Sequence, residues 1–97
     1  MSEELSVVVL IDVIPGKRED QINAFKKVEP LVLAEDGCIQ YELKADQDNE
    51  NRFVIIERWA SADALAAHAV SEHMVEAGKS NHLFRAKPPE VIKLSDT

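Results

Sequence analysis

Apolar residues recur along this chain with two different periods, and the period changes at turn residues. In residues 5–14, LSVVVLIDVI, Leu5, Val7, Val9, Ile11 and Val13 alternate on one face. Val8, Leu10 and Ile14 make the other face largely apolar too, interrupted by Ser6 and Asp12. A strand apolar on both sides is covered on both sides. Pro15-Gly16 ends it in a turn. Residues 17–34 then read as a helix. Ile22, Phe25, Val28 and Val32 follow steps of three and four, with Leu31 and Leu33 beside them. Lys17, Arg18, Glu19, Asp20, Lys26 and Lys27 take the wet side. Pro30 removes a backbone donor and clashes with the preceding turn, so a kink or break is expected there. Asp36-Gly37 marks the helix end.

Residues 38–45, CIQYELKA, return to strict alternation, with Ile39, Tyr41 and Leu43 on one side. Residues 52–60 form the next strand, joined to it across the polar loop DQDNEN as a long-looped hairpin. Ser61 suits the N-cap of a short helix through about Ala69, and Ser71 that of a further run through about Phe84. Pro88-Pro89 breaks the chain before a last strand, EVIKL. The order β-α-β-β-α-β is the ferredoxin-like split βαβ pattern, an α+β fold. Both helices of that pattern pack on one sheet face. FVII nevertheless offers Phe53 and Ile55 to one side and Val54 and Ile56 to the other. An open face that apolar predicts a homodimer in which two sheets pack face to face about a twofold axis.

Composition narrows the function classes. Ninety-seven residues make one domain, with an ordered core over about 5–95. A net charge of −7 with no basic cluster argues against nucleic acid or an anionic membrane as partner. The lone Cys38 excludes an internal disulfide and fits a reducing, cytoplasmic setting. No apolar run approaches a membrane span, and the acidic start MSEELS lacks the positive region of a secretory signal.

Groups suited to chemistry concentrate between Arg52 and Lys79. Glu57 shares its strand face with Phe53, Ile55 and Trp59. Burial there raises its pKa, and the carboxyl serves either as an acid/base or histidine orienter, or as a structural group satisfied by an arginine, backbone or indole N–H. Trp59 either stacks on a flat ligand or fills the core. His68 sits on the small-residue side of ALAAHA, where a ligand has room, and its ordinary pKa suits proton transfer. A core histidine bonded to backbone is the alternative. His73 falls in a first helical turn, lining a pocket or facing solvent, and His82 is read as solvated. Tyr41 offers a hydroxyl to a cavity or packs in the core. On one continuous helix, His68 and His73 would stand about 140° apart, which argues against a metal site; only a helix break near Val70-Ser71 would change that. No flavin, nicotinamide or phosphate-loop fingerprint is visible, so no cofactor is expected.

Taken together, VIPGK after the first strand, AEDGCIQYEL at the second, and FVIIERW-x5-L-x2-H-x4-H-M at the third strand and following helix resemble the antibiotic biosynthesis monooxygenase family, especially its small quinol monooxygenase branch. The pieces come in order and cover nearly the whole chain. The family's usual Glu-Pro-Gly is Glu35-Asp36-Gly37 here, a change assigned to the turn. The resemblance implies a dimeric α+β barrel and a cofactor-independent oxygenase that uses O2 on a quinol-like or polycyclic aromatic substrate. It assigns His68 as candidate base or hydrogen-bond partner, Trp59 and Tyr41 as pocket wall and Glu57 as orienter, and His73, from the residue reading above, joins them as a candidate substrate contact. Ile55 stands where anthrone oxygenases pair asparagine with the tryptophan, and Val9 and Gly78 stand where heme-degrading relatives need asparagine and histidine. A non-oxygenase branch isomerises a phosphorylated sugar, so a small-carbonyl or phosphosugar isomerase is the second reading, with Lys79, Arg58 and Arg85 as the candidate phosphate contacts. A noncatalytic ligand-binding dimer is the third reading.

Overall fold

The computed structural model describes residues 3–97; Met1 and Ser2, the start of the acidic N-terminal segment, lie outside the described residues. Four strands and three α-helices follow in the order β1 (Leu5–Asp12), α1 (Arg18–Leu33), β2 (Cys38–Ala45), β3 (Arg52–Trp59), α2 (Ala62–Ala69), α3 (Glu72–Gly78) and β4 (Glu90–Leu94). A 3-10 turn, Asn81–Leu83, sits between α3 and β4. The sheet runs β2-β3-β1-β4, and every neighbouring pair is antiparallel. This is the ferredoxin-like α+β fold expected from the alternation.

Register explains how the faces divide. Val7 pairs with Glu57, Val9 with Ile55 and Ile11 with Phe53, and all six are buried under the helices. Tyr41 pairs with Glu57 from the other side and is buried with them. On α1 the inward stripe is Gln21, Phe25, Val28 and Val32, at helical steps of four, three and four. Gln21 occupies a core position that the apolar count alone passes over. The opposite sheet face carries Val8, Leu10, Val54, Ile56 and Ile92, each partly buried. No helix covers it.

Several expectations need correction. Helix α1 continues through Pro30. The proline stands in the last turn, and the Ala34 N–H closes that turn on the Pro30 carbonyl at 3.2 Å. The clean alternation of β2 fails at Ile39. A bulge between Cys38 and Gln40 leaves Cys38 opposite Trp59 and Gln40 opposite Arg58. Ile39 is the extra residue and is exposed. The helical run after Ser71 stops at Gly78 rather than near Phe84. Ser61 does cap α2, accepting from the Ala64 N–H at 3.1 Å, but Ser71 makes no side-chain cap. Its hydroxyl turns back to the His68 carbonyl at 2.7 Å.

Gly37 fixes how closely α2 approaches the sheet. Its φ is +83°, and an added Cβ would stand 2.6 Å from the Ala64 Cβ. Gly37→Ala is therefore expected to destabilise the domain by about 2–4 kcal/mol, combining left-handed strain with a forced shift of α2. Gly16→Ala, at φ +88° in open space, should lose only the strain, about 1–2 kcal/mol. Urea denaturation of both variants measures the difference. Equal losses would mean that the Ala64 contact relaxes freely.

Candidate functional site

The site forms where the segment after α1 meets the break between α2 and α3. Glu35 is held on both sides through its backbone: its N–H donates to the Val32 carbonyl at 3.0 Å, and its carbonyl accepts from Cys38 at 3.2 Å. Its carboxylate meets His68 from α2, with Nδ1 at 2.9 Å from Oε2 and 3.1 Å from Oε1. The same Oε2 lies 2.5 Å from Nε2 of His73. Helix α2 ends at Ala69 and α3 begins at Glu72. That break swings the two imidazoles together, so the 140° separation expected for a continuous helix does not occur. Ser71 helps to hold the break, its hydroxyl lying 3.2 Å from His73 Nε2 as well as on the His68 carbonyl.

His68 is 5% exposed and is enclosed by aromatic rings. Trp59 lies at 4.6 Å between centroids and Tyr41 at 5.7 Å, edge-on. Phe25 stacks behind Tyr41 at 5.0 Å. With Nδ1 committed to Glu35, Nε2 is the ring nitrogen free to act on a ligand. A carboxylate bound to Nδ1 places the proton there and supports a positive charge on the ring, the base–orienter logic of a triad.

A cavity of about 500 Å³ opens beside this dyad, lined by His68, Tyr41, Glu57 and apolar residues of β1, α1 and α2. Leu65, Ala66 and Ala69 form the α2 wall, as the small-residue run around His68 predicts. Met74 and Ala77 of α3 close another side. The cavity's cations are Arg85 and Lys93. Arg85 is fixed by its Nε–H donating to buried Gln21 at 2.9 Å. Burial lowers the pKa of Arg85, and the nearby Tyr41 opposes that shift. Burial also drives the Tyr41 phenol well above its ordinary range, so it stays a neutral donor.

Glu57 does not orient His68. It accepts the Trp59 indole N–H at 2.8 Å, the indole-satisfied alternative named for it. Burial raises its pKa from 4.5; the Trp59 donor and His68 oppose the rise, and Glu35 adds to it. Trp59 itself is fully buried behind Glu57 and His68 and does not line the cavity. His73 faces a second cavity, of about 470 Å³, between α1 and α3. His82 is exposed. Cys38 is half-buried, its thiol pKa raised first by desolvation. The residue that sequence reasoning missed is Glu35. In the sequence it belongs to a turn, and its one signal is a carboxylate placed at a helix end just before the strand that carries Tyr41.

Glu57→Gln tests the desolvation directly. A carboxyl whose folded pKa exceeds its unfolded value holds its proton longer in the native state, so stability falls as pH rises through the folded pKa. Glutamine abolishes that loss and keeps an oxygen for the Trp59 N–H. The variant should melt higher than the parent at about pH 8 and lose that advantage at about pH 4, where both states are protonated. An equal advantage at both pH values would assign the effect to packing.

A ferredoxin-like domain with a carboxylate–imidazole pair beside a largely apolar cavity is the class these features define. The chain belongs to the antibiotic biosynthesis monooxygenase family, whose model matches residues 5–80. This bears out the resemblance carried by its three motifs. It is 33% identical over 84 residues to "Putative monooxygenase YcnE" of Bacillus subtilis, covering 86% of this chain and 87% of that one. It is 32% identical over 80 residues to "Probable quinol monooxygenase YgiN" of Escherichia coli K12, covering 72% and 77%. An uncharacterised Synechocystis protein, sll1783, is 29% identical over 90% of this chain, which spans 60% of that protein's length. Among solved structures, PA3566 from Pseudomonas aeruginosa superposes with a TM-score of 0.90 at 27% identity, covering 100% of this chain and 97% of that one. No helix among the described residues is long and apolar enough to cross a membrane.

Proposed function

We propose that this protein is a cofactor-independent monooxygenase that oxidises a quinol-like or polycyclic aromatic substrate with O2, as a homodimer. The observation that carries the reading is the Glu35–His68 dyad beside a cavity of about 500 Å³. That volume suits a fused-ring aromatic, and its walls are mostly apolar. His68 Nε2 takes a phenolic proton, and Glu35 stabilises the imidazolium that forms. Arg85 sits where it can stabilise the phenolate and reduced oxygen, held in place by Gln21. The electron-rich anion passes one electron to O2. The resulting superoxide and substrate radical combine to make a C–O bond. Loss of water from the hydroperoxide leaves a hydroxyquinone. One quinol and one O2 thus give one hydroxyquinone and one water, with every electron supplied by the substrate. Tyr41 donates to a substrate oxygen. Glu57 and Trp59 support the cavity floor, and His73 braces Glu35.

Similarity to relatives named as a putative monooxygenase and a probable quinol monooxygenase supports this reading, as does the family. The phosphosugar isomerase alternative is less well served. Of its candidate phosphate contacts, Lys79 is exposed and paired with Glu76, and Arg58 pairs with Glu4. Neither lines the cavity; Arg85 alone of the three does. Oxygen uptake with a panel of naphthoquinols and anthrones tests the proposal. It expects enzyme-dependent uptake at one O2 per quinol, with one atom of labelled oxygen retained in the product and no loss after chelator treatment. Uptake no faster than autoxidation across the panel would overturn it.

A further inference from the structure

We propose that Glu35, His68 and His73 also form a binding site for one divalent transition-metal ion, best matched by Zn2+, and that occupancy switches the dyad off. The second half rests on the role proposed above for His68; the first does not.

Three donor atoms converge here from separate segments. Nδ1 of His68, Nε2 of His73 and a Glu35 carboxylate oxygen all lie within 4.8 Å of one another. Two imidazoles and one carboxylate are a donor set that Zn2+ favours, with a fourth position left to water. The donors are already drawn inward. One carboxylate oxygen, Oε2, takes both ring nitrogens, at 2.9 and 2.5 Å. Around a tetrahedral ion with bonds of about 2.1 Å, ligand atoms stand roughly 3.4 Å apart. The carboxylate oxygen needs to draw back from each nitrogen by under about 1 Å, which rotation of the Glu35 side chain provides, and the two ring nitrogens, within 4.8 Å of each other, need to close by at most about 1.4 Å.

The surroundings suit an ion as well. The side chains of His68, Glu35 and His73 are 7%, 14% and 20% exposed, so the site is sheltered yet not sealed. His73 lines the second cavity, which gives an entry path between α1 and α3. Glu72 and Glu76 at its rim outweigh Lys27 in charge. Supporting contacts fix the ligands, as metal sites require. Backbone hydrogen bonds hold Glu35, and the Ser71 hydroxyl bonded to the His68 carbonyl fixes the break between the two histidines. Because that hydroxyl donates to the carbonyl, its lone pairs are free to face the ion or its water.

Metal binding and the dyad exclude each other. The Nδ1 that holds the ion no longer donates to Glu35, and Glu35 no longer supports charge on the imidazole. The expectation is that turnover falls as the site fills.

Chelator-treated full chain titrated with Co2+ should develop the visible absorption of a four-coordinate site and saturate at one ion per chain. Competition with a chromogenic chelator should give a micromolar or tighter Kd for Zn2+. His73→Ala and Glu35→Gln each remove a direct ligand and should weaken it by at least about 10–100-fold, the loss that removing an outer-shell partner already causes. His73→Gln, which keeps more of the side-chain bulk, guards against a folding defect in the alanine variant. His82→Ala, at an exposed histidine, should leave affinity unchanged. No Co2+ absorption, or equal affinity in the parent and both His73 variants, would overturn the site. Oxygen uptake with and without stoichiometric Zn2+, then with excess chelator, tests the switch. Full turnover with the site occupied overturns the switch. A protein that binds Zn2+ through His73 yet never consumes O2 with any quinol supports the site and overturns the oxygenase reading.

Discussion

His68→Ala is expected to lower kcat for quinol oxygenation by about 10²–10⁴-fold, the range that a positioned general base supplies, with a much smaller change in KM. Nδ1 of His68 is held by Glu35, so Nε2 is its one nitrogen free for a substrate proton. No other imidazole lines the cavity among the described residues. Glu57 does line it, but that carboxyl already accepts the Trp59 N–H. That engagement makes it a poorer acceptor for a substrate proton than the free Nε2 of His68. The truncation also removes a ring packed on Trp59 and beside Tyr41. A stability loss of about 1–3 kcal/mol is expected on that account. Rates must therefore be compared well below the melting temperature of both proteins. Glu35→Gln separates base from packing, because it leaves the imidazole in place. An amide can donate as well as accept, so it neither fixes the tautomer nor supports the imidazolium. A fall on the order of 10²–10⁴-fold is expected, as when the carboxylate of a triad is made neutral, with a changed pH profile. Turnover of a confirmed quinol by His68→Ala at the parental rate would demote His68 to packing and take the proposed mechanism with it.

The fold was legible because alternation and helical steps are local and redundant. Val7, Val9 and Ile11 declare a buried face whatever their partners are, and Phe53, Ile55 and Trp59 declare the matching one. Single residues that contradict a period were harder to place. Pro30 reads as a break, yet in a last turn the missing N–H and the steric clash fall where the helix is ending. Ile39 fits the alternation of β2 but is displaced by a bulge that no turn residue announces. The site was legible in its histidine, its tyrosine and its small-residue wall, since these lie on elements whose inward face the pattern fixes. Glu35 was not legible. Its role depends on where the end of α1 meets α2, a contact across 33 residues of sequence. That approach rests on Gly37, where only a glycine lets Ala64 come so near. The same limit hid the meeting of His68 and His73. Their spacing sets them apart only on a continuous helix, while Val70 and Ser71 turn the chain between two short ones.

Ile56→Glu is expected to convert the proposed homodimer into a folded monomer. The open face of the sheet carries a row in register, Glu42 beside Ile56, then Val8, then Ile92. The neighbouring row is Lys44, Val54, Leu10 and Glu90. The apolar residues thus form a central strip, with charged residues at the margins. That layout resembles an interface, apolar at its centre and polar at its rim. All five aliphatic residues of the strip remain only partly buried within one chain, so further burial is available to a partner. Covering one isoleucine side chain stabilises by about 1.5–3 kcal/mol. A twofold axis repeats the change in both protomers. Loss of both contacts raises the dissociation constant by about 10²–10⁴-fold, at 1.4 kcal/mol per decade, before the burial of two facing carboxylates is added. The substitution points away from Glu35, His68 and the cavity, which lie on the helix side of the sheet. Circular dichroism should therefore show an intact fold, and sedimentation at micromolar concentration should show a dimer for the parent and a monomer for the variant. A parent that sediments as a monomer would leave the strip without its proposed cover. A variant that stays dimeric would move the interface to the exposed helix-side residues Leu31, Val75 and Leu83.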